Sequence, residues 1–181
     1  DQLKIRATFF VVAGECLPFA HQIKGLLSAG HEIASHSFSH PENFFDLADD
    51  KLQYELEESK RVLELISVGE VVQGFRAPSW SLSGRQLEAL VKAGYKYDAS
   101  LIPSWFPILM RKVIASKSLS VCHQTASSNR QPRERRADWQ NVFASRNPVK
   151  IPFASGQLLR IPLATTPILR IPYYHTLSHV V

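Results

Sequence analysis

The sequence predicts a single α/β domain in which parallel strands alternate with covering helices. Short β-branched or aromatic runs indicate buried strands, amphipathic stretches separate these runs, and the links between them are short. The chain has 181 residues, 45% of them hydrophobic and 20% charged, which is enough for one domain with its own core. Ligands in such folds bind beyond the carboxyl ends of the strands, so functional residues are expected at that edge.

The first two strands enclose a short helix. IRATFFVV, at 5–12, has the composition of a buried strand and is bounded by Gly14. A helix follows, with Pro18 in its first turn and Gly30 at its end. Its apolar stripe, at i, i+4, i+7 and i+8, consists of Phe19, Ile23, Leu26 and Leu27. The second strand is HEIAS at 31–35, so the histidines that follow it are expected at a strand end.

Two further helix and strand pairs complete the regular part of the chain. A helix at about 49–66 carries leucines on one face, with Glu55 among the residues between them. The run VVQGF at 71–75 predicts the third strand. Ser83 can cap a short helix, and YKYDAS at 95–100 predicts the fourth strand. The order β-α-β-α-β-α-β favours a parallel sheet.

The remainder of the chain is less regular. We divide the single domain into a βα core at 1–110, an irregular basic loop or insertion at 111–149, and short C-terminal strands at 150–181. A basic-Ile-Pro triplet recurs every ten residues in the last part, which is too short a repeat for a solenoid. We expect short edge strands or turns at the triplets 150–152, 160–162 and 170–172.

The positive charge of the chain is concentrated in one segment. The net charge is +5, but residues 111–150 hold nine Lys or Arg against Glu134 and Asp138, a local net of +7 that leaves −2 elsewhere. A basic run confined to a polar stretch is more typical of a solvated loop than of a nucleic-acid surface, so no nucleic-acid partner is expected. A nucleic-acid arm at 111–150 is the weaker alternative, and nothing in the sequence indicates an oligomeric state.

The two cysteines and the absence of long apolar runs argue against disulfide-rich, cysteine-zinc and membrane-spanning proteins. Cys16 and Cys122 lie far apart in unlike surroundings, which argues against a disulfide framework or a cysteine-based zinc site. The chain contains no signal-peptide pattern and no membrane-spanning run. Localisation stays undetermined at this stage, with a leaning toward the cytoplasm.

His36 and His40 form a pair with metal-ligand spacing. Two histidines four residues apart can each give one ring nitrogen to a cation. The bare spacing proves little, because His175 and His179 share it and both pairs match His-[Ser/Thr]-x-x-His. Only the first pair follows a predicted strand, which favours it as ligands over polar residues of a loop. His31 and His21 are expected to be packing or helix residues.

Arg76 and Trp80 follow the third predicted strand and are expected at the same edge. An arginine there can orient a carboxylate, although a structural salt bridge explains it equally well. A tryptophan there can offer a flat face to a sugar, although core packing is the competing explanation.

The motifs taken together resemble a known family. ATFFVVAG, AGHEIASHSFSHP, GFRAPSWSL and GYKYDAS are similar, in order and spacing, to NodB-like polysaccharide deacetylases of carbohydrate esterase family 4. The resemblance covers about residues 5–103. It implies a deformed (β/α) barrel and a metal-dependent hydrolase that removes N-acetyl or related acyl groups from an amino sugar or polysaccharide. It also implies His36 and His40 as ligands of a divalent ion, with zinc as the best fit, and Ser37 as the residue that steadies their loop.

The same resemblance assigns roles to the later motifs. Arg76 matches the arginine that orients the catalytic carboxylate, and Pro78 and Trp80 match one wall of the groove for the carbohydrate substrate. Asp98 lies near the family's later aspartate motif and is a supporting residue.

The sequence departs from the family at both ends of the motif series. The family's first motif, an Asp-Asp run on the strand before ATFF, is not in the chain, and no Leu-His motif is evident. His175 and His179 fit the latter poorly. We therefore expect an internal fragment, with a barrel incomplete at one or both ends and half a metal site, that is inactive by itself. The alternative is a catalytically inactive carbohydrate-binding or degenerate module of the same fold.

Overall fold

The computed structural model of the protein describes residues 5–78, 82–105, 141–168 and 170. Within these residues, one sheet contains six strands: β1 Thr8–Val11, β2 Glu32–Ser35, β3 Gly74–Phe75, β4 Tyr97–Asp98, β5 Val149–Phe153 and β6 Gly156–Arg160. The α-helices are α1 Ala20–Ser28, α2 Asp49–Ile66 and α3 Gly84–Lys92, and 3₁₀ turns lie at Ala13–Glu15, Leu17–Phe19 and Phe44–Asp46.

The topology confirms the predicted α/β class. The strand order is β1-β2-β3-β4-β6-β5, and every neighbouring pair is parallel except the β5–β6 hairpin. The register aligns the carboxyl ends of the strands, since Ser35 pairs with both Val11 and Phe75 while Phe75 also pairs with Asp98. Residues that follow β2 and β3 therefore lie at one edge of the sheet.

Helix α2 has the predicted bounds and supplies much of the core. Its buried apolar side chains pack with strand and α3 residues in one cluster, which includes Leu52, Leu56, Leu63, Ile66, Phe75, Leu87 and Leu90. Glu55 and Ser59 lie on the same buried side of the helix. The placement of Glu55 among the polar positions was wrong: it follows Leu52 by three residues, which brings both onto one face.

The predicted strands are longer than the observed ones. Residue 71 is largely exposed, and the backbone N–H of Val72 donates to Glu64 Oε1 at 3.1 Å rather than to a strand, so β3 begins only at Gly74. A Cβ at Gly74 would lie 2.1 Å from Tyr97 Cζ. The absence of a side chain there lets the Tyr97 ring cross β3 to donate a hydrogen bond to Glu32 at 2.8 Å.

Two predictions about the position of residues need correction. Phe19 was expected on the apolar stripe of the first helix, but it lies in the preceding 3₁₀ turn and is 56% exposed, because the helix begins one residue later. The second basic-Ile-Pro triplet was expected at an edge or turn, but Arg160 ends β6, which lies between β4 and β5. The first triplet does lie on β5, an edge of the described sheet, where Pro152 is tolerated.

Several other residues that the sequence analysis singled out lie in the described part of the chain, and the rest lie outside it. His31 packs edge-on against Phe9 and accepts a hydrogen bond at Nδ1 from Ala7 N, which confirms a packing role. Cys16 is a buried, unpaired thiol. Cys122, residues 171–172 of the third triplet and most of the basic segment lie outside the described residues. None of the helices in the described ranges is long and apolar enough to span a membrane.

Candidate functional site

The candidate site lies where β2 and β3 end. His36 follows β2 directly, and its backbone N–H donates to Val11 O at 2.9 Å. Arg76 follows β3 directly, and its backbone N–H donates to Ser35 O at 2.9 Å. These two ladder-like bonds bring both residues to the same edge, as the sequence predicted for residues after parallel strands.

His36 is held in one tautomer by the backbone. Its Nδ1 donates to the carbonyl oxygen of Arg76 at 2.7 Å, which leaves the Nε2 lone pair as the ring's coordinating position. Burial of the ring lowers its pKa below the ordinary value of 6.5, and the neighbouring His40 and Arg76 charges act in the same direction, against the hydrogen bond to the carbonyl. A neutral imidazole with a fixed second nitrogen is the form that binds metal ions.

His40 completes a close pair with His36. The ring centres are 4.9 Å apart, with the planes at 68°. Two imidazoles bound to one tetrahedral zinc through nitrogens at about 2.0–2.1 Å would have centres about 5 Å apart. The observed separation therefore fits a shared divalent ion. Within the described parts of the chain, however, no group of three or more His, Cys, Asp or Glu side chains is arranged to hold a metal ion.

Ser37 lies inside the loop that connects the two histidines. Its hydroxyl oxygen is buried and accepts the backbone N–H of His40 at 3.0 Å. Ser37 and His40 both have left-handed backbone conformations, with φ of 66° and 54°. Such conformations are uncommon for residues with a Cβ, so the hydrogen bond supports a loop shape that the backbone alone disfavours.

The side chain of Arg76 is restrained on two sides. Its Nε donates to Ala99 O at 3.1 Å, and its guanidinium carbon lies 4.0 Å from the centre of the Phe10 ring. The contact with Phe10 is a cation–π interaction, and it crosses from β3 to β1. Pro78, two residues further on, is half-buried, and Trp80 lies outside the described residues.

Asp98 is fully buried, and its carboxylate binds partners on β6 and just after β4. Its Oδ2 accepts Arg160 Nε at 3.2 Å, and its Oδ1 accepts the backbone N–H of Ser100 at 2.9 Å. Burial raises the pKa of the carboxyl group above its ordinary value, while Arg160 and Ser100 oppose that shift. The sequence indicated Asp98 but not its partner, because Arg160 lies on a strand sixty-two residues away in the chain.

The sequence analysis also missed the contacts that support residues 36–40, which we call the histidine loop. Glu55 on α2 accepts hydrogen bonds from the backbone N–H groups of Phe38 and Ser39, both at 2.9 Å. The hydroxyl groups of Ser35 and Ser59 share a further hydrogen bond of 2.6 Å. The signal that could have found Glu55 is its position three residues from Leu52, because a charged residue on the apolar side of a helix needs a buried partner.

The fold and the paired histidines define an α/β protein with a candidate metal site at its strand ends. The model of the polysaccharide deacetylase family matches residues 1–97, more than half of the chain. The chain belongs to this family.

Two curated relatives have similar sequences. A peptidoglycan deacetylase from Helicobacter pylori is 32% identical over 100 residues, which cover 55% of this chain and 33% of that protein. A chitooligosaccharide deacetylase from Azorhizobium caulinodans is 30% identical over 90 residues, covering 50% of this chain and 42% of that protein. The chain thus matches about a third to two fifths of the length of these relatives.

A solved structure shares the fold over most of the chain. A protein from Mycobacterium smegmatis assigned to the polysaccharide deacetylases superposes with a TM-score of 0.62 at 21% identity. The alignment covers 91% of this chain and 42% of that one. The fold class predicted from the sequence, part of a barrel-type α/β fold, is thereby confirmed.

Proposed function

We propose that the protein is a metal-dependent deacetylase that hydrolyses N-acetyl groups, or related acyl groups, on an amino sugar polymer. The observation that carries the proposal is the His36 and His40 pair, with Nδ1 of His36 bound to the Arg76 carbonyl and the two ring centres 4.9 Å apart. Membership of the polysaccharide deacetylase family supports the reaction class. Hydrolysis would add water across the amide bond and release a carboxylate and a free amine.

His36 and His40 would be the protein's ligands to the metal, and zinc suits two imidazoles with a carboxylate best. Bound there, a divalent cation would polarise the amide carbonyl and lower the pKa of a coordinated water. The remaining carboxylate ligand is not among the described residues. Ser37 would support the ligand geometry through its hydrogen bond to His40 N.

Arg76 would orient the carboxylate that removes the proton from water. The Ala99 carbonyl and the Phe10 ring fix the guanidinium, so little conformational freedom would be lost when it binds an acid. Asp98 is assigned a supporting role in the neighbouring strand, since its own carboxylate already pairs with Arg160.

The proposed substrate is a carbohydrate. Pro78 and Trp80 would form one wall of its groove, with the tryptophan face against the apolar side of a sugar ring. The names of the two curated relatives, a peptidoglycan deacetylase and a chitooligosaccharide deacetylase, support substrates of this class.

A second candidate function is binding without turnover. It is favoured by one observation: no third metal ligand joins the two histidines within the described ranges. Two neutral imidazoles alone hold a divalent ion weakly. The carbohydrate groove and the fold would then be kept while the chemistry is lost.

Acetate release distinguishes the two functions. We would assay chitin oligosaccharides and peptidoglycan, with added zinc or cobalt, using this polypeptide and the product of the longest reading frame that contains it. The deacetylase proposal predicts activity in the longer product and its loss in the His36→Ala variant, while the 181-residue polypeptide alone stays inactive. Sugar binding without acetate release in either protein would support the binding module instead.

A further inference from the structure

The buried carboxylate of Glu55 on α2 lies directly beneath the histidine loop, residues 36–40. Glu55 is only 7% exposed, and its two oxygens accept hydrogen bonds from three groups of the loop. Oε2 accepts Phe38 N and Ser39 N, each at 2.9 Å, and Oε1 accepts the Ser39 hydroxyl at 2.5 Å. The three donors converge on one side chain, so the centre of the loop is tied to the helix.

The start of the same loop is tied to the same helix one turn later. Ser59, four residues after Glu55, shares a hydrogen bond with Ser35, and Ser35 Oγ also accepts the backbone N–H of Ser37 at 3.3 Å. Residues four apart on a helix lie above one another on one face. One face of α2 therefore fixes both the strand end before His36 and the backbone before His40.

The loop needs such support because its backbone conformation is unfavourable. Ser37 and His40 both have positive φ, although neither is glycine. The loop also packs tightly against the chain after β1, since Gly14 N donates to Phe38 O at 2.8 Å and a Cβ at Gly14 would lie 2.8 Å from that oxygen. Without fixed partners, residues 37–40 would relax toward commoner conformations and move the His40 ring away from His36.

We propose that Glu55 is a positioning residue for the metal site. By holding the histidine loop, Glu55 sets the affinity of His36 and His40 for a divalent metal ion. This inference rests on the proposed metal-binding function of the two histidines. Glu55 acts through the backbone and has no contact with either imidazole among the hydrogen bonds that hold it. Partners behind metal ligands commonly change affinity by tenfold or more when they are altered.

The charge on Glu55 matters, as well as its size. All three groups donate to the carboxylate, and two of them are backbone N–H groups that can only donate. A glutamine at this position would keep the volume, but it would lose the charge that strengthens the two backbone hydrogen bonds, and its N–H₂ group would require the Ser39 hydroxyl to turn and accept. Glu55→Gln is therefore a test of the hydrogen-bond pattern and creates no cavity.

The experiment compares zinc binding by the unaltered polypeptide, Glu55→Gln and the matched control Glu57→Gln. Glu57 lies on the exposed side of the same helix and hydrogen-bonds Gln53, so the control makes the same chemical change without touching the loop. Calorimetric titration with Zn²⁺ should show about tenfold weaker binding in Glu55→Gln and unchanged binding in the control. Equal affinity in all three proteins would overturn the inference.

A second measurement separates this inference from the proposed function. In the zinc-free proteins, ¹⁵N spectra should show shifted ring-nitrogen signals for His36 and His40, and faster amide exchange at Phe38 and Ser39, in Glu55→Gln only. If the unaltered polypeptide bound no zinc, the ligand role proposed for its two histidines would lose its support, while faster exchange in Glu55→Gln would still support the anchoring role and unchanged exchange would overturn it.

A milder variant covers the case in which Glu55→Gln does not fold. Ser39→Ala removes one of the three hydrogen bonds at an exposed residue. It should weaken zinc binding less than tenfold while the melting temperature stays near that of the unaltered protein. Full retention of affinity in this variant, together with a misfolded Glu55→Gln, would reduce Glu55 to a residue of the core and contradict the proposal.

Discussion

Two buried carboxylates serve two neighbouring regions in different ways. Asp98, at the junction of β4 and β6, is fully buried and faces a charged partner, Arg160, whose side chain is only 14% exposed. Glu55, at the junction of α2 and the histidine loop, faces neutral donors of that loop. The first joins two strands far apart in the chain, and the second shapes a candidate ligand loop. Burial of a carboxylate thus does not by itself mark a catalytic group.

The largest effect on stability is expected at Asp98. Replacing it by alanine should lower the free energy of unfolding by about 3–5 kcal/mol, because Arg160 would keep a partly buried charge without its partner. Urea denaturation at neutral pH measures the change. The double variant Asp98→Ala/Arg160→Met should recover most of the loss, since it removes both charges.

A loss below about 1 kcal/mol in the single variant would contradict this assignment. That value is typical of exposed ion pairs, and it would mean that water reaches Arg160 freely.

The effect at Glu55 should be smaller on stability. Glu55→Ala removes three hydrogen bonds, but Ser39 is exposed and Phe38 half-buried, so water can satisfy the released donors. We expect a loss of about 1–2 kcal/mol in the same urea experiment, with Glu57→Ala as the control. A loss as large as that of Asp98→Ala would show that the two carboxylates play the same structural role and would remove the distinction between the regions.

The third and smallest expected effect is a pH dependence at Asp98. Burial raises its pKa above the ordinary value of 3.8, so the folded protein retains the proton to a higher pH than the unfolded chain does. The stability that Asp98 gains by retaining its proton is therefore present below the ordinary value and is lost as the pH rises through the raised pKa, while the ion pair with Arg160 remains at neutral pH. Urea midpoints from pH 3.5 upward should show this decline in the unaltered protein relative to Asp98→Asn. Parallel profiles for the two proteins would refute the raised pKa.

The elements with strong periodicity were predictable from local sequence. Helix α2 has the predicted bounds, because its leucines repeat at helical spacing and Gly69, with a φ of +88°, follows its end. The short strands were less predictable. Val72 is a β-branched residue of the kind that is common in strands, yet its backbone N–H donates to Glu64 of α2. Only the packed structure decides between this partner and a neighbouring strand.

The candidate site was also predictable from the sequence only in part. The spacing of His36 and His40, and their position after a strand, follow from the sequence, because parallel strands bring their carboxyl ends to one edge. All the assigned roles remain predictions, namely those of His36, His40, Ser37, Arg76, Pro78, Trp80 and Asp98. The sequence could not show that Asp98 meets Arg160, since that contact depends on the late strand β6 pairing with β4.

By itself, the sequence determined the α/β class, the order of its elements and the family, because hydrophobic periodicity and short motifs are local properties of the chain. Only the tertiary structure decided that one imidazole is held by the Arg76 carbonyl and that Glu55 supports the histidine loop from α2. Both contacts join segments that no local pattern relates. They form because packing removes these polar groups from water, so that each group can bond only to the other protein groups beside it.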